Sequence, residues 1–212
     1  MPHTHTNQPV LQTGAALSEA DRVMILVHGR GASAEGIVGL ADALGAEGFA
    51  ILAPQANRRT WYPNSFLAAL DDNEPGLSTG LGLLERLVSE VEAVGVPAER
   101  IILGGFSQGA CLASEFVARN ARRYGGLLVF SGGLIGPPGT PREYAGSLEG
   151  TPVFIGCSDV DAHVPVERVR ETAEVLGALG AEVDLLIVEG MGHTIIPDEV
   201  ERAQAIVRDL IA

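Results

Sequence analysis

The stretch of sequence that decides the fold is Ile101-Ile102-Leu103-Gly104-Gly105-Phe106-Ser107-Gln108-Gly109. Residues 101–104 are apolar without polar alternation, which is typical of a strand buried on both faces of a parallel sheet. The residues after Gly109 follow a helical pattern, with apolar side chains at Ala110, Ala113, Phe116 and Val117. Ser107 is therefore predicted to lie on a tight turn between a buried strand and a helix.

The same alternation extends over the rest of the chain. Further apolar runs cover residues 23–27, 50–53, 127–130, 153–156 and 185–188. Helical patterns cover residues 33–45, 81–94, 107–119, 166–179 and 197–211. This order predicts an α/β fold, with a mostly parallel central sheet and helices on both faces. We expect a single domain over residues 1–212, with residues 1–14 as a flexible or edge segment.

Two irregular segments, residues 55–80 and 132–150, each follow a predicted strand. Loops at the carboxyl ends of parallel strands form the binding crevice of such a sheet, so both are candidate pocket walls. Neither is long and apolar enough to predict a large lid domain.

Composition narrows the function classes. The 212 residues carry a formal net charge of -13, which argues against nucleic acid and anionic membranes as partners. The two cysteines form neither a disulfide framework nor a metal-type pair. No segment reads as a leader or a membrane span, so a cytoplasmic protein without membrane insertion is expected. His3 and His5 lie in a polar tail that we expect to be mobile, without a metal role.

Ser107 is the candidate nucleophile, because it is central in the pentapeptide Gly105-Phe106-Ser107-Gln108-Gly109. A serine on such a strand-to-helix turn is exposed above the sheet, and the flanking glycines let the two backbones approach. The alternative is an ordinary turn in which Ser107 caps the helix.

His193 is the candidate base, because it lies among glycines on a loop after the strand at 185–188. Asp159 and Asp161 both follow the strand at 153–156, and either carboxylate could orient the imidazole. The resulting order Ser, Asp, His along the chain is that of α/β-hydrolases. His193 could instead be a surface-loop residue, and His28 is a second candidate base whose position better suits structural support.

The segment His28-Gly29-Arg30-Gly31 follows the first predicted strand. The backbone N–H groups of Arg30 and Gln108 are candidate donors to an oxyanion. The guanidinium group of Arg30 could face solvent, and the whole segment could be a plain glycine turn.

The chain resembles the phospholipase/carboxylesterase family, which includes the acyl-protein thioesterases. The matching residues lie between Leu26 and Ile196: residues 26–31, Ala53-Pro54, Trp61-Tyr62, residues 104–110, Phe130-Ser131-Gly132, residues 161–165 and Gly192-His193. The resemblance implies an esterase that needs no cofactor, with a nucleophile at Ser107 and oxyanion donors at Arg30 and Gln108. A metal hydrolase is the least expected class, because no His-x-x-x-His or Cys/His pair has ligand spacing.

The resemblance also favours Asp161 over Asp159, because only Asp161 is followed by Val164 and Pro165 in the family's spacing. The family usually has His-Gly shortly before the acid, where this chain has Cys157 and Ser158. His163 is expected to be a pocket or surface residue.

Trp61, Tyr62, Phe66 and Ile195 are the candidate pocket residues, because they bring apolar surface near the polar catalytic groups. Trp61 and Phe66 could equally be core residues. The sequence predicts a serine carboxylesterase that hydrolyses small acyl or aryl esters through a covalent acyl-enzyme. An acyl thioesterase or lysophospholipase is the first alternative, and a slow-turnover ligand-binding homologue the second. A homodimer is left open.

Overall fold

A computed structural model describes residues 4–211. Seven strands form one sheet in the order β1-β3-β2-β4-β5-β6-β7. The strands are β1 (Val10–Gly14), β2 (Val23–Val27), β3 (Ala50–Pro54), β4 (Ile101–Phe106), β5 (Gly126–Phe130), β6 (Pro152–Ser158) and β7 (Glu182–Val188). All neighbouring strands pair in parallel except β1, which lies antiparallel to β3 at the edge.

In the described part of the chain, six α-helices cover the two faces of the sheet. They are α1 (Ala34–Ile37), α2 (Gly39–Ala43), α3 (Gly76–Ala93), α4 (Gln108–Arg119), α5 (Val166–Ala178) and α6 (Pro197–Ile211). One core layer packs Ile25 and Leu103 of the sheet against α3, α4 and α5. The opposite layer packs Met24 and Ile102 against α1, α2 and α6. Adjacent residues of one strand thus enter opposite layers, which explains why these strands are apolar throughout.

The predicted helices differ from the observed ones at two places. The pattern at 33–45 divides at Val38 into the short helices α1 and α2, and Ser33 caps α1 through its bond from the Gly36 amide. Helix α3 begins at Gly76, earlier than predicted, although glycine and β-branched residues disfavour a helix. The Thr79 hydroxyl accepts from the His5 amide at 3.3 Å and Leu77 is buried, so tertiary contacts hold this first turn.

Two irregular segments, residues 55–75 and 131–151, lie at the carboxyl edge of the sheet. Their only helical parts are short 3₁₀ turns at Asn57–Arg59 and Leu70–Asn73, so the described chain carries no helical lid domain. Within residues 4–211, no helix combines the length and the apolar character that a membrane-spanning segment needs.

The expectation of a mobile tail is wrong for His5, which is fully buried. Its ring lies 5.1 Å from the ring of Trp61 and is hydrogen-bonded on both nitrogens. A sequence pattern does not reveal this contact, because the neighbouring residues are polar and show no periodicity. His3 lies outside the described residues.

Candidate active site

Ser107 lies on a sharp turn between the end of β4 and the start of α4. Its backbone has φ 56° and ψ -121°, a conformation that non-glycine residues rarely adopt. A Cβ atom at Gly105 would lie 2.5 Å from the carbonyl oxygen of Val27, and one at Gly109 would overlap the same oxygen. The two glycines therefore permit the close approach of β2, β4 and α4 that lifts Ser107 above the sheet.

His193 connects Ser107 to Asp161. Its Nε2 atom lies 2.8 Å from Ser107 Oγ, and its Nδ1 atom lies 2.6 Å from Asp161 Oδ2. An ionised carboxylate only accepts hydrogen bonds, so Nδ1 is the donor toward Asp161. In the neutral imidazole Nε2 is then the acceptor, and the Ser107 hydroxyl donates to it.

Asp161 is held by four donors. Besides His193, the Cys157 thiol donates to Oδ2 at 3.8 Å, and the amides of His163 and Val164 donate to Oδ1 at 2.8 and 3.0 Å. Burial opposes ionisation, but these hydrogen bonds outweigh it, and the pKa of Asp161 lies below its ordinary value. A carboxylate in this position stays charged and stabilises a positive charge on His193.

Asp159, the alternative acid, lies on the surface away from His193. Its Oδ1 atom accepts a hydrogen bond from the amide of Gly190 at 2.8 Å. Asp159 therefore holds the loop after β7 in place. The structure brings Asp161, and not Asp159, to the histidine.

Two aromatic rings support the His193 imidazole. The Phe106 ring lies 4.8 Å away in a tilted arrangement, and the His163 ring meets it edge-on at 4.8 Å. These contacts leave the Nε2 edge directed at Ser107. His163 is therefore both a wall of the site and a packing partner of His193.

Arg30 and Gln108 line the same cavity as Ser107. Within residues 4–211 neither backbone amide finds an acceptor, whereas the neighbouring Gly31 amide donates to the Arg59 carbonyl. The Gln108 amide is also at the N-terminus of α4, where the helix dipole favours negative charge. Both N–H groups thus remain candidate donors to an oxyanion.

The side chains of Arg30 and Gln108 fasten the loop that follows β3. The Gln108 carboxamide accepts from the Trp61 amide at 2.9 Å and donates to the Tyr62 carbonyl at 2.8 Å. The Arg30 guanidinium donates to the carbonyls of Tyr62 and Pro63 at 2.9 Å each. Arg30 is an exposed residue, and its guanidinium group is nevertheless hydrogen-bonded to this loop.

A cavity of about 460 Å³ opens onto Ser107. Its walls include Tyr62, Phe66, Cys111 and Val164 together with His193. Burial raises the pKa of the Cys111 thiol to about 12 and also raises that of Tyr62, so both groups are neutral wall residues near pH 7. This cavity is called the Phe66 cavity below.

Trp61 does not line the Phe66 cavity, contrary to one of the two sequence expectations. Its side chain is fully buried, and its indole N–H donates to the His28 carbonyl at 2.8 Å. The buried indole needs this acceptor, and the acceptor lies in the core. Ile195 does not line the Phe66 cavity either, and instead faces a separate cavity on the other side of His193.

His28 is buried beneath the site. Its Nδ1 atom lies 2.7 Å from the Gly29 carbonyl oxygen, so Nδ1 donates, and Nε2 accepts from the Ala56 amide at 3.0 Å. Burial lowers the pKa of His28, which keeps the ring neutral. Both nitrogens are occupied by backbone groups, which agrees with a structural role.

Sequence reasoning missed two residues near the site. Cys111 follows Ser107 by one helical turn, so the i+4 spacing could have placed it on the cavity face. Glu199 is fully buried in the first turn of α6 and accepts from the Ile196 amide at 2.9 Å. Burial raises the pKa of Glu199, and the nearby Asp161 raises it further. No periodic pattern marks a buried carboxyl group at a helix start.

Among residues 4–211, no three His, Cys, Asp or Glu side chains are placed to hold a metal ion.

Comparison with known families supplies one match. The profile of the phospholipase/carboxylesterase family matches residues 10–211. The matched region contains Ser107, Asp161, His193, Arg30 and Gln108.

Curated relatives include acyl-protein thioesterases of fungi. Acyl-protein thioesterase 1 of Gibberella zeae is 28% identical over 65% of this chain and 60% of its own length. The chain thus spans about three fifths of that relative. Acyl-protein thioesterase 1 of Eremothecium gossypii is 30% identical over 93% of this chain and 92% of its own length.

Solved structures share the fold. A phospholipase/carboxylesterase from Dyadobacter fermentans is 41% identical with a TM-score of 0.94, covering 97% of this chain and 98% of that one. The esterase PE8 is 26% identical with a TM-score of 0.77, covering 99% of this chain and all of that one.

Proposed function

Since this chain belongs to the phospholipase/carboxylesterase family, we propose that it is a serine esterase whose nucleophile is Ser107. The observation that carries the proposal is the hydrogen-bonded chain Ser107–His193–Asp161, with distances of 2.8 and 2.6 Å. A serine, a base within hydrogen-bond reach and a third group that orients the base are the parts that nucleophilic catalysis needs.

The first half of the reaction forms an acyl-enzyme. Ser107 Oγ attacks the ester carbonyl carbon while His193 Nε2 takes the hydroxyl proton. The carbonyl oxygen becomes an oxyanion and accepts hydrogen bonds from the Arg30 and Gln108 amides. The C–O bond to the alcohol then breaks, and His193 returns the proton to the departing alcohol oxygen.

The second half releases the acid. Water attacks the carbonyl carbon of the acyl-enzyme, and His193 Nε2 takes a proton from it. The bond to Ser107 breaks, the proton returns to Ser107 Oγ, and the carboxylic acid leaves. Asp161 remains ionised throughout and stabilises the imidazolium in both halves.

We further propose small acyl or aryl esters as substrates. The Phe66 cavity has a volume of about 460 Å³, and the buried residues Tyr62, Phe66 and Cys111 line it. A cavity of this size limits the length of an acyl chain. A chain-length series from acetate to palmitate esters is expected to peak at short chains, and a steady rise toward palmitate would contradict this proposal.

A thioesterase is the second candidate, because the curated relatives are named acyl-protein thioesterases. The hydrogen-bonded Ser107–His193–Asp161 arrangement can also attack a thioester, so its geometry does not distinguish an esterase from a thioesterase. Rates on an oxyester and a thioester with the same acyl group decide between them. A kcat/KM that favours the thioester well beyond its greater chemical reactivity would support the thioesterase.

The test of the nucleophile is Ser107→Ala. We expect kcat on a short-chain ester to fall by about 10⁴-fold or more. An unchanged circular dichroism spectrum and an unchanged midpoint of urea unfolding would show that the variant is folded. A folded variant with nearly wild-type activity would overturn the assignment.

A further inference from the structure

A second cavity of about 390 Å³ lies beside the Phe66 cavity. Four residues line both cavities: Gly29, Ala32, Phe106 and His193. The two cavities are thus adjacent, and the imidazole of His193 forms part of the wall of each. Of the proposed catalytic residues Ser107, Asp161 and His193, His193 alone lines the second cavity.

The walls of the second cavity come from α1, α2 and the loop before α6. Ile37 and Leu40 line one side, and Ile195 lines the other. Its lining contains no Asp, Glu, Lys or Arg side chain, so its chemistry favours an uncharged, apolar group. We name it the Leu40 cavity.

The position of His193 indicates what each cavity receives. In the proposed reaction the imidazole gives its proton to the departing alcohol oxygen, so that oxygen must lie next to His193 Nε2. The oxyanion occupies the position beside the Arg30 and Gln108 amides. The acyl chain is the remaining substituent of the tetrahedral carbon and points away from both. Phe66 and Cys111 line only the first cavity, whereas Ile37 and Leu40 line only the second.

We propose that the Leu40 cavity binds the alcohol part of the ester, and that this alcohol is apolar, such as a butyl or benzyl group. This inference rests on the proposed function and adds the class of alcohol to it. Alcohols with a charged head, such as a phosphorylated glycerol, do not match walls without a countercharge. The selectivity appears in the step that expels the alcohol, because afterwards the cavity is empty of substrate.

Gly36 offers a way to fill the Leu40 cavity without disturbing the core. It lines the cavity, and a Cβ atom there would meet only Ser33 Oγ, at an ordinary 3.7 Å. Gly36→Leu therefore adds a side chain at the rim while the Ser33 cap of α1 is kept. Gly39→Leu is the matched control, because a Cβ there meets nothing within 4 Å and Gly39 does not line the cavity.

The experiment measures kcat/KM for methyl, propyl, butyl and benzyl acetate, which share one acyl group. In the wild-type protein we expect a rise of about three- to four-fold per added methylene, which is the gain of burying it. Gly36→Leu is expected to remove most of this rise, with a loss of about tenfold for butyl acetate relative to methyl acetate. Gly39→Leu is expected to keep the wild-type series.

The deacylation rate distinguishes the proposed roles of the two cavities. The steady rate after the p-nitrophenol burst from p-nitrophenyl acetate reports release of the acetyl group from Ser107. Gly36→Leu should leave this rate unchanged, because the alcohol has already departed. Phe66→Leu, in the other cavity, should change the dependence on acyl length and leave the alcohol series unchanged.

Two results would overturn the inference. If kcat/KM in a folded Gly36→Leu protein rose with the size of the alcohol as steeply as in the wild-type protein, the Leu40 cavity would not bind the alcohol. If Gly36→Leu instead abolished the dependence of kcat/KM on acyl length, the Leu40 cavity would bind the acyl chain. Failure of the proposed function looks different, since a folded Ser107→Ala protein would then hydrolyse the same acetates at the wild-type rate.

Discussion

His5 Nε2 lies 2.7 Å from the carbonyl oxygen of Trp61, a residue 56 positions further along the chain. The other nitrogen, Nδ1, accepts from the Asn57 amide at 3.1 Å, so Nε2 must be the donor. The Trp61 amide in turn donates to the Gln108 side chain. The start of the described chain is thereby connected to the residue whose amide is a proposed oxyanion donor.

This connection predicts that His5→Ala affects both stability and turnover. Loss of two buried hydrogen bonds is expected to lower the free energy of unfolding by about 1–3 kcal/mol. We also expect kcat to fall several-fold with little change in KM, because the loop around Gln108 loosens. Urea unfolding and steady-state kinetics measure the two effects. Thr6→Ala, at the exposed neighbouring residue, is the control, and equal behaviour of the two variants would contradict the prediction.

The two candidate acids give opposite predictions. Asp161→Asn removes the acceptor that selects the tautomer of His193, and kcat is expected to fall by about 10³–10⁴-fold. Asp159→Asn keeps an oxygen that can accept from the Gly190 amide, so kcat should change by no more than about two-fold. Both rates are measured at pH 7 on the same ester. A larger loss in Asp159→Asn would reverse the assignment of the acid.

Gly109→Ala is expected to disrupt the turn at Ser107. Its Cβ would overlap the Val27 carbonyl oxygen, which belongs to backbone that cannot move aside. We expect a loss of about 3 kcal/mol or more in the free energy of unfolding. Gly82→Ala, at an exposed helical position where a Cβ meets nothing within 4 Å, is the matched control and should gain up to about 1 kcal/mol. Similar urea midpoints for the two variants would refute the packing argument.

The buried thiols predict a decline of stability in alkali. Burial raises the pKa of Cys111 and of Cys157 to about 12, whereas an unfolded thiol has a pKa of about 8.5. The folded state therefore holds these protons more tightly. Their contribution to stability is complete below about pH 8.5 and is lost as the pH rises toward 12.

Thermal unfolding between pH 8 and pH 11 measures this decline. A Cys111→Ala, Cys157→Ala double variant should show a smaller loss of Tm over the same range, even if its Tm at pH 8 is lower. The native thiols should also resist iodoacetamide at pH 8.5 until urea is added. Rapid alkylation of either thiol in the folded protein would contradict the burial on which this prediction rests.

The strands of the central sheet were predictable because each is buried on both faces. The strand Val23–Val27 has the predicted bounds, since all five of its residues are apolar and buried. The edge strand Val10–Gly14 is half exposed and lacks such a run, so the sequence could only suggest an edge segment. The predicted start of helix α3 was too late in the chain, because local helix propensity does not include the burial of Leu77.

The proximity of the proposed catalytic residues could be predicted from their positions after strand ends, whereas the residues that line the pocket could not. Ser107, Asp161 and His193 each follow a parallel strand, and these strands end at the same edge of the sheet. Trp61 and Ile195 lie in irregular segments, where no periodicity tells which way a side chain faces. The sequence therefore did not predict that Trp61 lies in the core or that Ile195 lines the Leu40 cavity.

Labelling with a fluorophosphonate probe tests the central claim most directly, because the probe bonds to a serine only when its hydroxyl is activated. Intact mass and peptide mapping of the labelled wild-type protein should show one adduct, on Ser107. The adduct should be absent in Ser107→Ala and form far more slowly in His193→Ala. An adduct that persists in Ser107→Ala would contradict the claim. No adduct on the folded wild-type protein would do the same, and would indicate a ligand-binding relative without an active nucleophile.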